Sequence, residues 1–305
     1  MLFKRAYLFQ ASPVALVTLS ACGGDIMSPA ASIKTISGKV VNGPLNGAVV
    51  FLDLNQNGIL DGNETWGRTT IDGGFSLPTS SSNFEIVAFT DEDTVDTSSG
   101  QVLAGVTLKA PSTASMISPT TTLIQEGNLT AEEVAAVLGL PDGIDPLSFN
   151  PYAVGVDATS ALAVAKISKQ ITTAIKSFAS AAEGAGASVG DSFEVALKSV
   201  VEVVKTKAKK LKNTSATDAE KKLDFTKSDD LNLIKGKAAE EVASKPGVNV
   251  TAFGNLIEDA TSSIKNVNVI INGITDLSSD ATKDVFATSN ALSKQIKSAL
   301  KAEAA

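Results

Sequence analysis

Two periodicities divide the chain. From Ile33 to Leu108, short β-branched and apolar runs (IKTISGKVV, GAVVFLDL, TWGRTTI, FSL, FEIVAFT and VLAGVTL) alternate with turn residues, the pattern of a small antiparallel sandwich. Asn42-Gly43-Pro44 and Asp72-Gly73-Gly74 stand where tight turns are needed, because glycine takes positive φ without a Cβ clash. From about Asp157 the period lengthens to that of a helix. Val164, Ile167, Ile171, Ile175 and Phe178 share one face, Phe193, Leu197, Val200 and Val204 a second, and Leu231, Ile234, Ala238 and Val242 a third. Phe253, Ile257, Ala260, Ile264, Val267 and Ile271 follow at the alternating spacing of a bundle seam, and Val285, Leu292, Ile296 and Leu300 mark a last helix. Gly184-Ala185-Gly186, Asn213-Thr214-Ser215 and Pro246-Gly247 supply the breaks.

The pattern predicts an α+β multidomain chain, a small antiparallel β-sandwich over residues 33–110 and an α-helical bundle over 157–305. Residues 111–156 read as a junction. Within it Thr130 and Glu133 have the spacing of a capping box, which opens a short helix running through Leu138.

Charge sharpens this division. Residues 22–150 carry 15 acidic against 4 basic side chains, whereas residues 151–305 carry 18 against 20. The whole chain has 305 residues, a formal net charge of −7 and no histidine, which leaves neither a basic footprint for nucleic acid nor imidazole for catalysis. A single cysteine excludes an internal disulfide.

The acidic half holds the strongest chemical signal. Asp53, Asn55, Asn57, Asp61 and Glu64 fall at positions 1, 3, 5, 9 and 12 of a twelve-residue calcium loop, with the carbonyl of Ile59 at position 7 and Gly58 at the sharp turn. Alternate positions aim their oxygens at one centre, and Ca²⁺ takes six to eight of them. The run Ala48 to Leu52 before the loop reads as a strand, so no entering helix exists to swing as a regulatory switch. Asp91, Asp93 and Asp96 invite a second ion site but lack full ligand spacing, and read as a solvated loop.

The stretch from Gly38 to Asp53, the loop, and Thr69 to Leu77 resembles the B-type, prealbumin-like modules of bacterial surface proteins. The resemblance implies a strand running into an EF-hand-like loop whose ion stiffens a stalk or adhesive module, with Asp53, Asn55, Asn57, Asp61 and Glu64 as side-chain ligands and Ile59 giving its carbonyl. Ile117 to Ile124 resembles the SPLTTL junction that follows such modules, with Thr120 in place of the usual Leu.

Residues 1–21 have the layout of an export signal, with Lys4 and Arg5 ahead of an apolar stretch. Leu19-Ser20-Ala21-Cys22 resembles the lipobox of bacterial lipoproteins, which implies cleavage before Cys22 and acyl chains that anchor the body to a membrane through its N-terminus. Gly23 in place of Asp implies the outer membrane, and residues 22–32 comprise the lipidated Cys and a short tether.

Lys205, Lys207, Lys209, Lys210 and Lys212 read as a solvated face at the carbonyl end of a helix. The Ser-x-x-Lys spacings at Ser262 and Ser298 lack the companion motifs of penicillin-recognising enzymes, and no phosphate loop is present. The sequence therefore predicts a non-enzymatic, calcium-binding envelope lipoprotein whose partner is a surface protein or polysaccharide. The alternative is a glycan-binding subunit using Trp66 and Tyr152 as aromatic platforms.

Overall fold

In the β-rich half, alternation decides which side chains meet. The computed structural model describes residues 32–303; the export segment, Cys22, the tether up to residue 31 and the side chain of Leu300 lie outside the described residues. The strands are β1 (Lys34–Val40), β2 (Leu45–Asn46), β3 (Val49–Asp53), β4 (Trp66–Arg68), β5 (Gly74–Thr79), β6 (Glu85–Phe89), β7 (Val95–Asp96), β8 (Gln101–Val102), β9 (Thr107–Pro111) and β10 (Met116–Ile117). They form an antiparallel sheet in the order β4-β3-β6-β9, a sheet β10-β1-β5 in which β10 runs parallel to β1, and a small sheet β2-β7-β8. Val50 and Leu52, Ile86 and Ala88, and Leu108 and Ala110 occupy alternate positions of three neighbouring strands. They share one core with Val40, Phe75, Leu77 and Ile117 of the β10-β1-β5 sheet, as the pattern predicts for an α+β fold that opens with a sandwich.

The helices are α1 (Pro119–Gly127), α2 (Ala131–Leu138), α3 (Ala158–Gly184), α4 (Val189–Lys210), α5 (Asp218–Lys221), α6 (Ser228–Ala243), α7 (Val250–Asn272) and α8 (Asp280–Glu303). Each of the five expected bundle helices is present, and α3 packs against α4, α7 and α8. Side-chain caps fix three starts: Asp157 accepts from the amide of Ser160, Ser188 from Asp191 and Asn249 from Ala252. Thr130 and Glu133 form the expected capping box at the start of α2. Among the described residues, no helix is long and apolar enough to cross a membrane.

The segment expected as a junction is packed structure. Ser118 caps α1, Pro119 opens it, and Leu123 and Ile124 enter the same core as the bundle helices. On its other side α1 closes the outer edge of β9. The Thr121 hydroxyl donates to the Lys109 carbonyl at 2.9 Å, and the Lys109 amide donates to the Thr122 hydroxyl at 2.9 Å. Those hydroxyls satisfy backbone groups of an edge strand that would otherwise face solvent or a second chain.

Side chains tie the β-rich half to the bundle. Thr172 of α3 donates to Asn42 Oδ1 at 2.8 Å, Lys176 of α3 to the Ala104 carbonyl at 3.2 Å, and Asn290 of α8 to Ser99 Oγ at 3.0 Å. Leu147 and Phe193 pack against both cores. The described residues from Ile33 onward belong to one compact unit.

Candidate metal centre

The loop begins where β3 ends. Asp53, the last residue of that strand, is fully buried, and its carboxylate organises the turn that follows. Oδ1 accepts the amides of Gln56 at 2.6 Å and Asn57 at 3.3 Å, and Oδ2 accepts that of Gly58 at 2.6 Å. Gly58 holds φ at 74°, a left-handed conformation that costs a side-chain-bearing residue strain.

Two Asx turns carry the chain onward. Asn55 Oδ1 accepts from the Asn57 amide at 3.1 Å, and Asn57 Oδ1 accepts from the Ile59 amide at 2.7 Å. The Nδ2 atoms of both asparagines then converge on Asp61 Oδ2, at 2.8 Å and 3.0 Å. Each asparagine oxygen is held by its Asx turn, so the nitrogens face Asp61 here, and presenting oxygen at the same point would cost those turn bonds. Glu64 folds back from the loop's end, Oε1 accepting from the Leu54 amide at 2.8 Å and Oε2 from the Asp61 amide at 3.0 Å. The Ile59 side chain is 63% exposed, and its position in the loop supplies backbone alone.

The structure brings the expected residues together in one loop. Among the described residues, however, no three carboxylate, cysteine or histidine side chains gather at metal-ligand spacing. Here N–H groups satisfy the carboxylates of Asp53 and Glu64, and those of Asp61 are met by the two asparagine amides. The donor set itself comprises three carboxylates, two amides and one carbonyl, all hard oxygens without thiol or imidazole. That chemistry fits Ca²⁺ and disfavours the softer transition metals.

A second layer of charge lies beside the loop. Glu85 of β6 stands opposite Asp53 of β3 in the strand register. Burial pushes the Glu85 carboxyl up from its ordinary range and the Asp53 charge adds to this, against the pull of Lys109. Lys109 Nζ lies 3.1 Å from Glu85 Oε1 and 2.9 Å from Glu126 Oε1 on α1, while Gln125 donates to Glu85 Oε2 at 2.9 Å.

Asp91, Asp93 and Asp96 do not share a centre. Asp91 pairs with Arg68 at 2.6 Å, with Asp93 at 3.8 Å from the same guanidinium, and the Arg68 hydrogen bond holds the Asp91 carboxyl below its usual range. Asp96, expected in a solvated loop, is completely buried against Lys169 of α3. Ser98 Oγ donates to Asp96 Oδ1 at 2.6 Å, and the Lys169 ammonium sits 4.6 Å from the Phe286 ring centre. Burial drives the Lys169 ammonium below its ordinary value; it acts on Asp96 in the upward sense but is outweighed there by the Lys169 charge, so the carboxyl stays low. No sequence signal marks this pair, whose members lie in elements of different period.

Two other surface expectations change. Lys207, read as part of a solvated face, is buried, pairing with Asp230 at 2.6 Å and donating to the Ala219 carbonyl at 2.8 Å. Tyr152 turns its hydroxyl into the protein, where burial and the Asp96 charge push its ionisation up, whereas Trp66, two residues beyond Glu64, is 55% exposed. The cleft of about 290 Å³ lined by Glu92, Val102, Lys176, Glu183 and Phe193 includes no residue of the loop. No family model, curated protein or solved structure matches this chain.

Proposed function

We propose that the chain is a non-enzymatic, calcium-braced lipoprotein of the bacterial envelope, with a structural, adhesive or interaction role. The observation that carries this reading is the convergence of Asn55 and Asn57 on Asp61 in a loop whose first and last residues, Asp53 and Glu64, are buried carboxylates. Asp53, Asn55, Asn57, Asp61 and Glu64 would hold the ion with the Ile59 carbonyl. Its two positive charges would offset two of the three negative charges of Asp53, Asp61 and Glu64.

Two further features support a brace over a switch. A strand enters the loop, so no helix is positioned to reorient on binding. Extracellular calcium modules work at dissociation constants of about 10⁻⁴–10⁻³ M, where occupancy follows the medium and stabilises by mass action. The lipobox-like sequence ending at Cys22 supports anchoring at the outer membrane. Thermal melts in millimolar Ca²⁺ and in chelator test the reading: the melting temperature should rise with Ca²⁺ in the wild type, much less in Glu64→Gln, and an unchanged wild-type melt counts against it.

One observation favours a second reading, a glycan-binding subunit. Trp66 presents a half-exposed indole beside the loop, as a sugar platform requires. Reproducible binding on a glycan array, lost in Trp66→Ala, would select it.

A further inference from the structure

We propose that Lys109 sets the calcium affinity of the 53–64 loop, acting as a tethered positive charge that opposes the ion and links its arrival to helix α1. This role presupposes the calcium reading above. Three placements carry it. First, a Cβ built on Gly58, the loop's turning residue, would lie 3.4 Å from Lys109 Nζ, so the ammonium rests against the loop itself. Second, the ammonium is held there: Glu85 and Glu126 bind it from two sides, and the Lys109 side chain is only 18% exposed. Third, Glu85 faces Asp53 across the strand pair, so the Lys109–Glu85 bridge borders the loop's first ligand position.

A divalent ion entering the loop meets this fixed cation at short range. Solvent screens it little, because both the ammonium and Asp53 are shielded. Repulsion between a divalent ion in the loop and a fixed ammonium beside its turn, at a dielectric between protein and water, is enough to weaken binding several-fold. The same ammonium bonds Glu126 of α1, and the backbone of Lys109 bonds Thr121 and Thr122, so displacement of Lys109 by the ion is felt by the helix that closes the sheet edge.

Calorimetric titration of the full chain with CaCl₂ tests the proposal, because it predicts a gain that structural damage does not produce. Lys109→Gln should bind Ca²⁺ about fivefold to fiftyfold more tightly than the wild type, and Lys109→Arg, which keeps the charge, should stay within about twofold. Glu126→Gln is a milder probe on a part-exposed residue outside the loop. Removing that counter-charge leaves Lys109 more strongly positive toward the ion, and affinity should fall about twofold to fivefold. Unchanged or weaker binding in Lys109→Gln overturns the proposal while leaving the calcium reading standing. If Lys109→Gln does not fold, unchanged binding in Glu126→Gln overturns it. Absence of binding in the wild type together with both variants overturns both.

Discussion

The Lys169 ammonium and the Asp96 carboxylate meet where neither side chain has any solvent exposure, joining α3 to the short strand β7 across 73 residues of chain. A buried pair costs desolvation on both sides and holds together only because the partners also find Ser98, Asn290 and the Phe286 ring. Together with the Thr172–Asn42 bond, it makes the bundle and the β-rich half a single packed body.

Removing one partner strands the other. Lys169→Met should destabilise the protein by about 3–5 kcal/mol in urea denaturation. The Asp96→Asn/Lys169→Met double variant should recover most of that loss. Equal losses in the single and double variants would mean that the packing of the lysine stem, and not the charge, matters here.

Acid should separate these variants further. The Asp96 carboxyl is held below its ordinary value in the folded state, so it contributes stability above pH of about 4, and that contribution disappears as pH falls through the folded value. Asp91, Asp191 and Glu194 are also held low by their hydrogen-bonded partners and act in the same sense. Melting temperatures measured from pH 6 to pH 2 should therefore fall in the wild type. The fall should be smaller in the Asp96→Asn/Lys169→Met variant, and an identical acid limb contradicts the assignment.

Thr121 closes the edge of β9. Its hydroxyl accepts from the Ser118 amide at 2.8 Å and donates to the Lys109 carbonyl at 2.9 Å. Thr121→Val keeps the shape, strips the Ser118 amide of its acceptor and leaves the Lys109 carbonyl only the long 3.4 Å bond from Thr122, which should cost about 1–3 kcal/mol. Hydrogen exchange should also quicken along β9 and the start of α1, whereas global unfolding with unchanged local protection would not fit an edge-closing role.

Periodicity made the large elements legible. The faces led by Val164, Phe193, Leu231 and Phe253 became α3, α4, α6 and α7, and the Thr130–Glu133 spacing became a real capping box. Helix α1 was hidden because Pro119-Thr120-Thr121-Thr122 looks extended by propensity; in the structure the hydroxyls bond across to β9, so tertiary contacts decide. The turn geometry of the 53–64 loop was legible because Asp53, Asn55, Asn57 and Gly58 act on amides close to them in the chain. Lys169 and Asp96 were not, since a lysine on an apolar helix face reveals its partner only after folding, and the same limit concealed Lys207–Asp230.

Gly58 bears directly on the loop. Its positive φ strains any residue that carries a Cβ, although a methyl group there would meet Lys109 only at ordinary contact distance. Gly58→Ala should destabilise by about 1–2 kcal/mol and weaken Ca²⁺ binding, as read by chemical denaturation and calorimetry.

The central claim is the calcium loop, and Trp66 reports on it from two residues beyond Glu64. Titrating the full chain with CaCl₂ while following Trp66 emission, in wild type and in Glu64→Gln, tests it most directly. A saturable change with a midpoint of about 10⁻⁴–10⁻³ M in the wild type, shifted at least tenfold higher in the variant, is the expected result. No change in emission and no heat of binding up to millimolar Ca²⁺ would contradict it.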